Sequence, residues 1–327
     1  VQCHRIAHQT DWIVGMLCGR YDVTDVSTAL KTGANPGSLT WPSAIERLGL
    51  PLSTLPEIVL PGTPVGYVAA DAERLTGLRA GTPVIAGCTD GTAGCLASGA
   101  SQVGDLNVTL GTTLVFKAIA DRPVIDPNGT SYNHRHPAGG YLPGAASSTG
   151  GDWIKEQFPS ADLESLSAKC ERHLPTGSVT YPLVKTGERF PFFHSSATGF
   201  GLDQIDDLTI RFAAGMEAVA YLERLAINRF GELDLPIGPT VFATGGGTHN
   251  DLWLQIRATV NRRVYSVPAC SDCVIGAAVL AAIPTLGTSQ EAVQCIVRAG
   301  RQIEPHAAWA RAYDESFERF KEALHSR

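Results

Sequence analysis

The chain has 327 residues and a formal net charge of −6, from 26 basic and 32 acidic side chains. With 44% hydrophobic and 18% charged residues, it is too apolar for disorder and long enough for about two domains. The mild acidity, without a basic stripe, argues against nucleic acid as the main partner while leaving an anionic substrate open. The longest apolar run, Cys273 to Ile283, is too short for a bilayer and reads as a buried helix. With no charged-then-apolar leader, the expectation is a cytoplasmic protein with no membrane partner.

In chain order, residues 5–17 read as a helix with Ile6, Trp12, Ile13 and Leu17 on one face, and Val1 opens the chain as if already inside it. A polar, turn-rich stretch runs from Thr24 to Thr40, a short helix covers Ala44–Leu48, and Pro-rich loops lead to Gly66. Pro83–Gly87 reads as a buried strand, followed by a small-residue helix from about Gly91 to Gly99. Asp105–Leu110 and Thr113–Ile119 read as paired strands, then a hairpin-rich section reaches Gly144. Helices are expected near Gly151–Phe158 and Leu163–Leu174. Asp206/Asp207 should cap a long helix carrying Leu208, Phe212, Met216, Val219 and Leu222. A strand over Thr240–Thr244, a helix over Asp251–Val260, a strand over Val264–Val267 and a last helix striped with Trp309, Tyr313, Phe317, Phe320 and Leu324 complete the pattern. The strand–helix alternation implies α/β layers with a boundary near residues 98–104.

Eight scattered cysteines (Cys3, Cys18, Cys88, Cys95, Cys170, Cys270, Cys273 and Cys295) read as buried reduced thiols. Cys270 and Cys273 form a CxxC without the second pair a zinc site needs, so no metal site is assigned. The sequons at Asn107 and Asn128 carry no weight without secretion.

Three glycine-punctuated turns carry candidate chemistry. In Gly87-Cys88-Thr89-Asp90-Gly91-Thr92, Asp90 sits between a strand end and a helix start. Its simplest role is an N-cap; the functional alternative is a general base fixed on a rigid strand end. Leu110-Gly111-Thr112-Thr113 reads as a hairpin turn, or as backbone N–H groups and hydroxyls nesting an anion. Thr244-Gly245-Gly246-Gly247-Thr248-His249-Asn250 runs from strand to helix through three glycines, which cost backbone entropy and pack nothing unless a ring or phosphate must approach. It has neither the Rossmann spacing nor the Gly-Lys-Ser/Thr of a Walker A loop.

In this order and spacing, the turns resemble the FGGY family of carbohydrate kinases. The resemblance also takes in Asp11-Trp12, Thr24-Asp25, Gly144–Gly151, Trp253 and Gly276-Ala277-Ala278. It implies an α/β fold of actin-like ATPase (ribonuclease H-like) domains, one complete and one partial. Residues 1–97 would be the C-terminal part of a sugar-side domain. Residues 98–327 would be a nucleotide-side domain whose last helices can return to the hinge. The family's N-terminal Asp-x-Gly-Thr phosphate loop has no counterpart here, since the chain's Asp-Gly-Thr is Asp90-Gly91-Thr92. His8–Pro36 and Gly187-Glu188-Arg189-Phe190-Pro191 are most similar to the ribulose- and xylulose-kinase branch.

The resemblance further implies ATP-dependent phosphorylation of a sugar hydroxyl, most simply of a pentulose such as D-ribulose or D-xylulose. Asp90 would be the catalytic base, and Gly111, Thr112 and Thr113 would hold phosphate. Gly245, Gly246, Gly247, Asn250 and Trp253 would surround the nucleoside. Mg²⁺ would bridge the phosphates. The partners are then a small sugar and ATP, with a homodimer allowed. The alternative is a nucleotide-binding remnant without kinase activity, because the N-terminal phosphate loop is absent.

Overall fold

A computed structural model describes residues 4–137 and 139–325; the expectations placed on Val1 and Cys3 lie outside the described residues. The chain forms four short strands, β1 (Val23–Asp25), β2 (Glu57–Val59), β3 (Pro64–Tyr67) and β4 (Pro83–Ile85), and then seven more. These are β5 (Leu106–Leu110), β6 (Leu114–Ala118), β7 (Ser131–Arg135), β8 (Tyr141–Ser147), β9 (Thr240–Thr244), β10 (Val264–Pro268) and β11 (Ala299–Ile303).

The seven form one sheet in the order β11-β10-β9-β5-β6-β8-β7. β5, β9 and β10 run parallel at its centre, and the flanking pairs are antiparallel. Leu106, Val108 and Leu110 of β5 and Leu114, Phe116 and Ala118 of β6 are fully buried, as expected for central strands whose alternate residues face a helix layer. That layer is the helix Leu208–Glu232. Asp207 caps it, its carboxylate accepting hydrogen bonds from the Thr209 and Ile210 N–H groups. Phe212, Met216, Val219 and Leu222 recur on its inner face and join one cluster with the sheet, Trp153, Trp253 and the C-terminal helix Ala310–His325.

Residues 4–86 are built differently. β1 and β2 pair in parallel, and β3 and β4 pair antiparallel. Their apolar residues collect in two small clusters, one around Val23, Val65 and Val84 and one around Val26, Ala29 and Ile58.

Several expectations are corrected here. The first helix spans Gln9–Cys18, and residues 4–8 are not helical. Its buried residues are Asp11 and Gly15, while Trp12 and Ile13 are 56% and 55% exposed. The turn onto β1 folds the Tyr21 ring against Gly15, where a Cβ would lie 2.1 Å from Tyr21 Cδ1, and of the expected stripe Leu17 packs on the cluster around Val23 and Val65. The Pro-rich loops contain β2 and β3, and β4 is a partly exposed edge strand with Val84 as its buried residue. The apolar helix Cys273–Leu286 buries little beyond Gly276, Val279 and Leu280. Gly276 lets it approach the helix Asp90–Ala97 so closely that a Cβ would sit 2.0 Å from the Ala93 carbonyl oxygen, so the contact is a narrow stripe. Cys95 and Cys170 are buried, Cys18 and Cys88 half-buried, and Cys270, Cys273 and Cys295 exposed. Strand β11 and the helix Ser289–Ile296 have no counterpart in the sequence reading.

Candidate active site

The loops leaving the C-terminal ends of β5 and β9 wall a cleft of about 850 Å³, within the range of small-molecule sites. β5 and β9 are paired in parallel with Thr109 opposite Thr244, so both glycine turns emerge at one sheet edge. Gly245 has φ +85°, and a Cβ there would lie 2.5 Å from the Leu110 carbonyl oxygen, whereas nothing lies within 4 Å of a Cβ at Gly246. The first glycine therefore lets the loop hug β5, and the second leaves open space over the cleft. Thr248 closes the turn, donating from its N–H and Oγ1 to the Gly245 carbonyl at 3.0 and 2.8 Å.

Asn250 caps the helix Asp251–Asn261. Its Oδ1 accepts from the Trp253 N–H at 2.9 Å, and its Nδ2 donates to Ser167 Oγ at 2.6 Å. Trp253 is 3% exposed and donates its indole N–H to the Met216 carbonyl at 3.0 Å. It supplies part of the cleft floor while belonging mainly to the core.

At the other end of the cleft, the Gly111-Thr112 turn is exposed and its backbone is locked from below. The Gly111 N–H donates to the Thr113 carbonyl at 3.0 Å, and the Gly151 N–H donates to the Gly111 carbonyl at 2.8 Å. A Cβ at Gly150 would lie 2.5 Å from the Thr113 carbonyl carbon. The short helix Asp152–Gln157 follows at once and presents Ile154 and the exposed Lys155 to the cleft.

Asp90 stands apart from this cleft. Thr89 occupies the N-cap position, without a side-chain cap bond, and Asp90 is the first helical residue, which corrects the N-cap reading. The Asp90 carboxylate is exposed, and its Oδ1 accepts from the Gly91 N–H at 2.6 Å. The turn is anchored from the smaller half of the molecule. The Thr89 N–H donates to Ser27 Oγ at 2.9 Å, and Ser27 Oγ donates to Asp25, which also caps the helix Val26–Ala29. From the large sheet, Lys117 of β6 reaches the same turn; a Cβ at Gly91 would lie 3.1 Å from its Nζ. Burial lowers the Lys117 pKa, and the charge of Asp90 is among the influences opposing that shift. Cys273 donates its thiol to the Asp90 carbonyl at 3.4 Å; burial, then the Asp90 and Asp272 charges, raise that thiol's pKa.

Gly111, Thr112, Gly246, Gly247, Asn250 and Trp253 thus line one cleft. Gly245 supports it from behind, and Thr113 lies under the turn, packed on Gly150. Sequence reasoning missed Lys117, Lys155 and Ser167. The lysines carried no local motif, and Ser167 meets Asn250 across 83 positions of sequence.

Residues 106–284 match the FGGY family of carbohydrate kinases, C-terminal domain. The chain is 27% identical over 331 residues to the autoinducer-2 kinase of Yersinia enterocolitica, covering 94% of this chain and 61% of that protein. It is 28% identical over 296 residues to the Yersinia pestis autoinducer-2 kinase, covering 84% of this chain and 56% of that one. The chain therefore spans about three-fifths of the length of these relatives. The xylulose kinase of Rhodospirillum rubrum superposes with a TM-score of 0.85 at 27% identity, covering 99% of this chain and 68% of that one. The Plasmodium falciparum glycerol kinase solved with ADP shares the fold, with a TM-score of 0.81 at 16% identity over 98% of this chain and 66% of that one. A mixed α/β fold of the actin-like ATPase type and a family match over more than half of the chain agree: the chain belongs to the FGGY family of carbohydrate kinases.

Proposed function

We propose that the protein transfers the γ-phosphoryl group of ATP to a hydroxyl of a sugar, most simply a pentulose such as D-ribulose or D-xylulose. The observation that carries this reading is the convergence of two glycine turns on one cleft at the ends of two parallel strands. A separate exposed carboxylate, Asp90, stands where the two halves of the molecule meet. The adenine and ribose lie against Gly245, Gly246, Gly247, Asn250 and the edge of Trp253. The phosphates lie over Gly111 and Thr112, whose backbone Thr113 supports, with Lys155 near. Asp90 takes the proton of the attacking hydroxyl as the general base, on the turn that Lys117 also reaches. The domain division follows, with residues 1–97 on the sugar side and 98–327 on the nucleotide side.

No three histidine, cysteine or acidic side chains converge on a metal position among the described residues. That donor set fits a Mg²⁺ carried chiefly on phosphate oxygens and water, with at most one or two carboxylates. When bound with ATP it neutralises phosphate charge; orientation and proton removal fall to the residues named above.

Calorimetry with ATP, beside a coupled assay on ribulose, xylulose and other ketoses, tests the reading. We expect ATP binding and turnover of a pentulose. ATP binding without turnover on any sugar would leave a nucleotide-binding protein without kinase activity, and no ATP binding would overturn the site.

A further inference from the structure

The segment Gly187–Pro191 contributes nothing to the walls of the nucleotide cleft. Within it, Glu188 is 2% exposed and forms no ion pair among the described residues. A buried carboxylate without a cation persists where hydrogen-bond donors replace water, and six surround this one. Its Oε2 accepts from Ser147 Oγ at 3.0 Å, Thr149 Oγ1 at 2.9 Å and the Tyr181 hydroxyl at 2.7 Å. Its Oε1 accepts from the N–H groups of Ser148 at 2.5 Å, Arg189 at 2.8 Å and, more weakly, Phe190 at 3.5 Å. Burial, and next the Glu188 charge, push the Tyr181 hydroxyl far above its usual range, which keeps it a donor.

Three of the six donors come from the consecutive residues Ser147, Ser148 and Thr149, where β8 ends. The next two residues are Gly150, pressed on Thr113, and Gly151, whose N–H holds the Gly111 carbonyl. One carboxylate therefore clamps the strand end on which the Gly111–Thr113 turn rests.

We propose that Glu188 is a positioning residue for the phosphate end of the cleft: through Ser147–Thr149 and Gly150–Gly151 it fixes the geometry of the Gly111–Thr113 turn. The proposal rests on the nucleotide reading for its functional consequence, but its structural claim is independent of it. A small displacement of a binding turn is costly even when caused from outside the site.

The test combines amide hydrogen exchange on the nucleotide-free chain with ATP calorimetry, for the wild type, Glu188→Gln, Thr149→Val and Tyr181→Phe. Glu188→Gln and Thr149→Val should each speed exchange at residues 111–113 and 147–151 and weaken ATP binding about tenfold. Tyr181→Phe removes a donor to the same oxygen that belongs to a residue outside the β8 end. It should lower thermal stability but leave exchange at both segments and ATP affinity near wild type. Should Glu188→Gln fail to fold, the contrast between Thr149→Val and Tyr181→Phe decides. Unchanged exchange at both segments, or equal responses in those two variants, overturns the proposal. Faster exchange at both segments in a chain whose wild type binds no ATP supports the clamp while refuting the nucleotide reading.

Discussion

The two halves of this molecule are held together in different ways. The seven-stranded half shares one continuous core, with central β-residues at zero exposure and a 25-residue helix laid across them. The half containing residues 4–86 has two two-stranded sheets, two small clusters, and large apolar side chains such as Trp12, Tyr67 and Leu75 in solvent. Burial scales with the layers available to cover each face. The contrast separates the candidate residues: both glycine turns grow out of the half with the continuous core, whereas Asp90 sits on a junction tied to residues 4–86 through Thr89, Ser27 and Asp25.

If that division is functional, changes in the two halves should separate chemistry from binding. The largest effect belongs to the junction. In a chain that turns over sugar, Asp90→Ala should lower kcat by about 2–4 orders of magnitude while ATP affinity, read by calorimetry, stays near wild type. A similar loss in both would collapse the distinction. The two neighbouring glycines sharpen it from the other side. Gly245→Ala places a Cβ 2.5 Å from the Leu110 carbonyl oxygen at a positive φ, so thermal unfolding should show a loss of about 2–4 kcal/mol. A Cβ at Gly246 would meet no protein atom within 4 Å, so Gly246→Ala should melt like the wild type and bind ATP about tenfold more weakly by occupying the cleft.

The last expected effect concerns the packed half itself and appears only as a pH dependence. Burial raises the Glu217 pKa from 4.5 to about 7, against hydrogen bonds from the hydroxyl and N–H of Thr176. Between those two pH values the folded chain holds a proton that the unfolded chain has released. The stabilisation is therefore complete below pH 4.5 and is lost as pH rises through 7, a change of at most about 3 kcal/mol. Glu217→Gln should remove that slope, so its melting temperature should gain on the wild type from pH 5 to pH 8. Parallel melting curves across that range would mean that Glu217 titrates normally.

What could be read from sequence follows the same division. The Leu208–Glu232 helix, β5, β6, β9 and the glycine turns announced themselves because cap, periodicity and turn lie within a few residues of one another. β2 and β3 were hidden because three- and four-residue strands among prolines leave no alternation to detect. The helix Cys273–Leu286 misled because apolar composition was taken for burial, whereas Gly276 confines the contact to a stripe. Asp90 was legible as a residue and misplaced by one position at the cap. The Glu188 clamp was illegible because its Tyr181, Thr149 and Ser147 donors lie 7, 39 and 41 positions away.

The parallel pairing of β5 with β9 has one more consequence. Because Thr109 and Thr244 share a rung, the two turns are spaced by the roughly 4.8 Å interval between neighbouring strands, a distance no hinge can alter. The cleft behaves as a caliper with fixed jaws: the proposed nucleoside and phosphate ends keep one span whatever else in the molecule moves.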